Sequence, residues 1–175
     1  MRISANVDFE SLYTAIGGGG KILENGQIVS DSGFVPSGRQ PRTVIGVNKS
    51  TNEVIRAVID GRTHSIGATH VEAANILLRY GVSDAMHLDG GGSTTMAAKT
   101  LDDDKAEVVN TPSQGSQRKV GNALGVYNNA PVGELTSIVV KPSSEKIITG
   151  IGTPLNIYGL DDYYNKLTLD PNSIV

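Results

Sequence analysis

The sequence predicts an α+β fold. It reads as a mainly antiparallel, mixed β-sheet packed on one principal helix, followed by the start of a sandwich-type β domain. Three observations carry this. An Asn25-Gly26 pair stands between two apolar runs, the strongest short-range hairpin signal, because both residues tolerate positive φ. Only residues 69–80 show convincing helical spacing of apolar side chains. Past a Pro/Gly/Asn-rich stretch at 128–133, two-residue alternation restarts.

In chain order, residues 21–24 and 27–29 form the arms of the first hairpin, and a polar loop runs from 30 to 41. Residues 43–47 and 54–59, rich in β-branched side chains, form a second hairpin. The helix follows, with Val71, Ala74, Leu77 and Leu78 as its apolar face. Thr69 and Glu72 fit a capping box, and Gly81 stands where a C-terminal cap belongs. Residues 85–88, 94–98 and 107–109 read as short strands, the triplet at 102–104 as a turn, and 123–127 as the strand that closes the sheet. The expected organisation is a domain over 1–128, a linker over 129–134 and a partial β domain over 135–175. Its strands are 135–140, 146–148 and 155–158.

Composition narrows the function classes. The chain has 175 residues, a net charge of −3, no cysteine and 21 glycines. The charge argues against nucleic acid as a partner. The missing cysteine removes disulfides and thiolate chemistry. No apolar run reaches the roughly 20 residues of a membrane span, and the first residues lack an export-signal core.

Candidate chemistry gathers where strands end, since loops on a rigid sheet carry function. Asp89-Gly90-Gly91-Gly92-Ser93 follows one strand. Successive glycines can turn backbone N–H groups toward an anion, and a neighbouring carboxylate can act as base, nucleophile or proton donor. The alternative is a tight turn in which Asp89 caps its own backbone. Asp60-Gly61-Arg62 and Asn110-Thr111-Pro112 follow two other strands. Glu72 is either a carboxylate of the site or simply the partner of Thr69 in the cap. Arg118 and Arg42 are candidate phosphate ligands, because a guanidinium binds phosphate oxygens in pairs. For each the competing reading is a surface salt bridge. His87 either lines the site or is a half-buried strand residue. His64, His70 and His87 are too scattered to form a metal set by spacing. Gly17-Gly18-Gly19-Gly20-Lys21 lacks the Ser/Thr of a nucleotide loop, and the segment around Ser93 lacks the last glycine of a nucleophile elbow.

Five motifs in order resemble the phosphodiester glycosidase family. They are Pro41-Arg42-Thr43-Val44-Ile45-Gly46-Val47; Asp60-Gly61-Arg62; Ser65-Ile66-Gly67-Ala68-Thr69 with Glu72; Leu88-Asp89-Gly90-Gly91-Gly92-Ser93-Thr94-Thr95-Met96; and Asn110-Thr111-Pro112 with Arg118-Lys119-Val120-Gly121-Asn122-Ala123-Leu124. The resemblance covers residues 17–127. It implies hydrolysis of a bond between an anomeric carbon and a phosphate. Asp60, Glu72 and Asp89 would be the carboxylates, with Asp89 as base or nucleophile and Glu72 as its acid partner. Arg62 and Arg118 would clamp the phosphate, with Gly18, Gly19 and Gly90, Gly91 and Gly92 shaping the pocket floor. Arg42, Thr69, His87, Ser93 and Asn110 complete the candidate substrate contacts. His87 replaces the family's usual Asn, and Gln117 a frequent Glu. The family also has upstream strands, so this reading expects an N-terminally trimmed domain. The tail resembles immunoglobulin-like modules of bacterial surface proteins, which implies a secreted or cell-surface parent. No cofactor is expected, with a divalent metal left open. The expected partner is a carbohydrate phosphodiester. The alternatives are a non-catalytic glycan- or phosphate-binding surface module and a phosphodiesterase cleaving P–O.

Overall fold

The structure is a computed structural model and describes residues 3, 8–30, 36–63, 65–101, 103, 105–144, 146 and 148–170. The chain divides into two compact units, Met1–Leu124 and Gly125–Val175.

In the first unit, β1 (Gly20–Glu24), β2 (Gln27–Ile28), β3 (Arg42–Asn48), β4 (Glu53–Ile59) and β5 (Asp84–His87) form one five-stranded sheet in the order β2-β1-β5-β3-β4. Every pairing in it is antiparallel, so the mixed sheet expected from the sequence is corrected. Asn25 (φ 48°) and Gly26 (φ 76°) make the positive-φ turn that their types favour.

Helix α1 (His70–Arg79) begins at a complete capping box. The Thr69 hydroxyl accepts from the Glu72 N–H, and the Glu72 carboxylate accepts from the Thr69 N–H. Gly81, at φ 70°, follows the last turn. The buried face is Ala73, Ala74 and Leu77. Val71 is half exposed, which corrects its assignment to that face. Ala73, Ala74 and Leu77 centre the buried stripe, and Val71 lies about 110° around the helix from that centre. Leu77 and Ala74 pack with Ile22, Leu23, Val44, Val82 and Ala85 into the core, and Leu78 and Ile55 lie at its margin.

Beyond β5 the glycine loop makes a single 3-10 turn over Gly91–Ser93. The expected strand at 94–98 is thereby shortened to β6 (Ala97–Ala98), which pairs only with β7 (Glu107–Val108). Of the expected turn at 102–104, positions 102 and 104 lie outside the described residues. Residues 123–127 are not a strand and close no sheet. Val126 and Tyr127 are exposed, and β propensity is expressed only where a neighbouring strand offers packing.

The second unit contains β8 (Leu135–Pro142), β9 (Leu155–Asp161) and β10 (Lys166–Leu167), an antiparallel sheet in the order β10-β9-β8. Lys146 and Ile148, expected in a strand, lie outside the sheet, and position 147 is outside the described residues. Asp161 organises the turn after β9. Its carboxylate accepts from the backbone N–H of Gly133, Tyr163 and Asn165 and from the Asn165 side chain.

Among the described residues no helix is long and apolar enough to cross a membrane.

Candidate functional site

Strand direction explains why distant motifs meet. β3 runs antiparallel to both β4 and β5, and β1 runs antiparallel to β5. The starts of β1 and β3 and the ends of β4 and β5 therefore share one edge of the sheet. Register confirms it: His87 is opposite both Gly20 and Val44, and Arg42 is opposite Ile59. Gly18 and Gly19, Arg42, Asp60 and Asp89 leave the sheet at that edge.

A cavity of about 590 Å³ opens there. Its lining includes Gly18, Gly19, Arg42, Arg62, His87, Asp89, Gly90, Gly91, Gly92 and Arg118. Asp89 is exposed and makes no hydrogen bond or ion pair among the described residues. The three guanidiniums around it form no ion pair with a described acid either.

Each arginine is held by neutral partners. Arg62 donates through Nε and Nη2 to Gln40 Oε1, at 3.1 and 2.6 Å. Arg118 donates to Gln114 Oε1 at 3.3 Å and to Ser93 Oγ at 3.4 Å. Arg42 is only 3% exposed and donates to the carbonyls of Ala68, Pro36 and Gly38 at 2.8–2.9 Å. This corrects the surface salt-bridge alternative for Arg42: the side chain is a buried brace. Burial lowers its pKa without removing its charge.

Gly18 is required by a backbone contact, whereas at Gly92 the close neighbours are side-chain ends. A Cβ on Gly92 would lie 2.6 Å from Arg118 Nη2 and 2.8 Å from Gln114 Cδ. A Cβ on Gly18 would lie 2.6 Å from the His87 carbonyl oxygen. The glycine loop is only partly free to bind an anion. The N–H of Gly91 is spent on the Pro41 carbonyl, that of Ser93 on Gly90 and that of Thr94 on Gly91, which leaves the amides of Gly90 and Gly92 outside these bonds.

His87 is buried and lines the cavity. Its Nε2 lies 3.0 Å from Nδ1 of His70, and Nε2 of His70 lies 2.7 Å from the Val29 carbonyl. A carbonyl can only accept, so His70 carries a proton on Nε2, and of the two facing nitrogens, Nδ1 of His70 and Nε2 of His87, one donates to the other. Burial, then the charges of Arg42 and His70, push the His87 pKa down to about 4, so the ring is neutral near pH 7.

The other candidates lie outside this cavity. Asp60 accepts from Asn110 Nδ2 at 2.8 Å and from the Thr111 N–H at 2.9 Å. Asn110 also accepts from the Met96 N–H and donates to the Thr94 carbonyl, so the pair ties three loops together. Glu72, expected as the acid partner of Asp89, is not among the lining residues. Its carboxylate serves the cap with Thr69 and pairs with Arg39. The Thr69 N–H above all holds its pKa below the ordinary carboxylate value. Ser93 faces a neighbouring cavity and accepts from Arg118.

Gln40, Gln114 and His70 were not singled out by the sequence. Gln40 precedes the Pro41-Arg42 motif by one residue, and nothing in its type marks it as a holder of Arg62. Among the described residues no group of three or more His, Cys, Asp or Glu is placed to hold a metal ion, and His64 is outside them.

Comparison with known proteins agrees with this geometry in one respect. The sequence profile described as phosphodiester glycosidase matches residues 3–127. Among solved structures, the zebrafish N-acetylglucosamine-1-phosphodiester alpha-N-acetylglucosaminidase catalytic domain, auto-inhibited by its pro-peptide, is 29% identical. The match covers 46% of this chain and 31% of that one, with a TM-score of 0.39. A hypothetical protein from Synechocystis is 31% identical over 43% of this chain and 15% of that one, with a TM-score of 0.37. The chain thus spans a third or less of these structures. No curated protein matches it significantly.

Proposed function

The chain belongs to the phosphodiester glycosidase family, and we propose that its Asp89 cavity hydrolyses the bond between a sugar's anomeric carbon and a phosphate diester. The observation that carries this reading is one carboxylate without a partner among the described residues, set among three guanidiniums that pair with no described acid. Such a site is complementary to an anion that leaves while a nucleophile is activated beside it.

In this reading Arg62, Arg118 and the inner Arg42 bind the phosphate oxygens, with the free glycine-loop amides beside them. Asp89 takes a proton from water as the water oxygen attacks the anomeric carbon. The C–O bond breaks, and its electron pair leaves with the phosphate monoester. Phosphate is already a good leaving group, so the arginines do the work that an acid would do for an alcohol. Asp60 with Asn110, and Glu72 with Thr69 and Arg39, act as positioning residues for the loops around the cavity. The substrate is assigned to envelope or extracellular glycans. The second unit is read as one layer of an immunoglobulin-like sandwich on an exported protein, from the alternation in its sequence.

The test is hydrolysis of the methyl diester of a sugar 1-phosphate in ¹⁸O-labelled water, read by mass spectrometry. Label on the sugar is the expected result. Label on the phosphate would make the chain a P–O phosphodiesterase. Binding without turnover would make it a recognition module.

A further inference from the structure

The cavity around Asp89 has a neighbour. A second cavity of about 560 Å³ is bounded by β3, β4 and the 117–124 segment. Gly17, Thr43, Leu88, Asp89 and Arg118 line both, so Asp89 and Arg118 stand on the divide. Each alone has the size of a small-molecule site, and together they offer more room than one sugar phosphate needs.

The charges of the second cavity are unusual. Besides the shared pair it contributes Arg56 and Lys119, both exposed. Neither is ion-paired among the described residues. Among the described residues the two cavities thus present five cations (Arg42, Arg62, Arg118, Arg56 and Lys119) against the single carboxylate of Asp89. The chain as a whole is negative, at −3, so this concentration of positive charge is local. A lone scissile diester carries one negative charge, and the first cavity already answers it. Arg56 and Lys119 remain for another anion on the far side of Asp89. The rest of that wall mixes apolar Val58, Met96 and Val120 with polar Ser93, Thr95, Gln117 and Asn122, which suits an oxygen-bearing carbon skeleton between two phosphates.

We infer that the substrate carries a second phosphate on the aglycone side, and is therefore an oligomer or polymer of phosphodiester-linked units laid across both cavities. The inference rests on the hydrolase reading only for which bond is cut. A polyanion is also the ligand such a field collects fastest, with an association rate that falls as salt screens it.

Two synthetic probes test it on the full chain. One is a sugar-1-phosphate methyl diester. The other has the same sugar phosphate esterified to a glycerol that bears a second, methyl-capped phosphodiester. Two screened charge contacts predict a KM about tenfold lower for the second probe. In Arg56→Gln/Lys119→Gln the ratio falls to near one, and in Arg56→Lys/Lys119→Arg it persists. Circular dichroism establishes that both variants are folded. Equal KM values in the unaltered chain, or a ratio that survives the glutamines, would overturn the inference. So would a stronger preference for an uncharged long-chain alkyl diester. If neither probe is hydrolysed, calorimetric affinities decide separately. A tenfold tighter two-phosphate probe, lost in the glutamine variant, upholds the polyanion site while the hydrolase reading falls. Equal affinities sink the polyanion site.

Discussion

Asp60 and Asp89 leave the same edge of one sheet, Asp60 after β4 and Asp89 shortly after β5, yet their surroundings are opposite. Asp60 accepts from a side-chain amide and a backbone N–H at 2.8 and 2.9 Å. Asp89 accepts from no described group and stands in the divide between two cation-lined cavities. A carboxylate whose lone pairs are used by the fold is a brace, because removing it leaves donors unpaired. One kept without partners beside guanidiniums has its lone pairs available to a ligand or a proton. Residue type is the same in both cases, and only the neighbours assign the role.

Exchanging side chains can break this contrast. Asp89→Asn is expected to lower kcat on a sugar-1-phosphodiester about 10²–10⁴-fold while leaving the melting temperature within a degree. Retained turnover would remove Asp89 from the chemistry. Asp60→Ala is the mirror case, with a stability loss of about 1–3 kcal/mol measured by urea denaturation. A stable Asp60→Ala chain with abolished turnover would reverse the two roles. Thr69→Ala removes the cap that Glu72 shares, at a cost of about 1 kcal/mol. Its kcat is expected to fall far less than that of Asp89→Asn, because neither residue lines the cavity and both act only through the loops they hold.

Acidification sharpens the contrast more gently. His87 titrates at about 4 in the folded chain against 6.5 as its ordinary value. The unfolded chain therefore binds a proton first as the pH falls. Stability drops between pH 6.5 and about 4 and levels off below that. His87→Asn is expected to flatten this window in melts taken across it, and an unchanged slope would assign the pH dependence to other groups.

What was legible in the sequence was local. Asn25-Gly26, the Thr69–Glu72 box and the Gly81 stop are each decided within four residues, and each formed as expected. The glycine loop with Arg62 and Arg118 was legible as ordered motifs, and antiparallel pairing brings it to one edge. The carbonyl cage of Arg42, the Gln40 hold on Arg62 and the His70–His87 contact join positions 4 to 26 apart along the chain. No periodicity encodes such approaches. Val71 misled because hydrophobicity outweighed the smallness of Ala73, and residues 123–127 misled because strand-forming side chains found no strand beside them.

Arg42 carries one more consequence. Three carbonyl oxygens take three of its five N–H donors, on Nε and Nη2, but dipoles do not cancel a unit charge, and no described acid does so. The folded protein thus holds a positive charge in a buried wall and carries the desolvation cost of that cation. An arriving anion supplies the missing counter-charge to the folded form and to no other. Occupancy and foldedness become one equilibrium, in which a ligand at a hundred times its Kd adds about 2.7 kcal/mol to the native state.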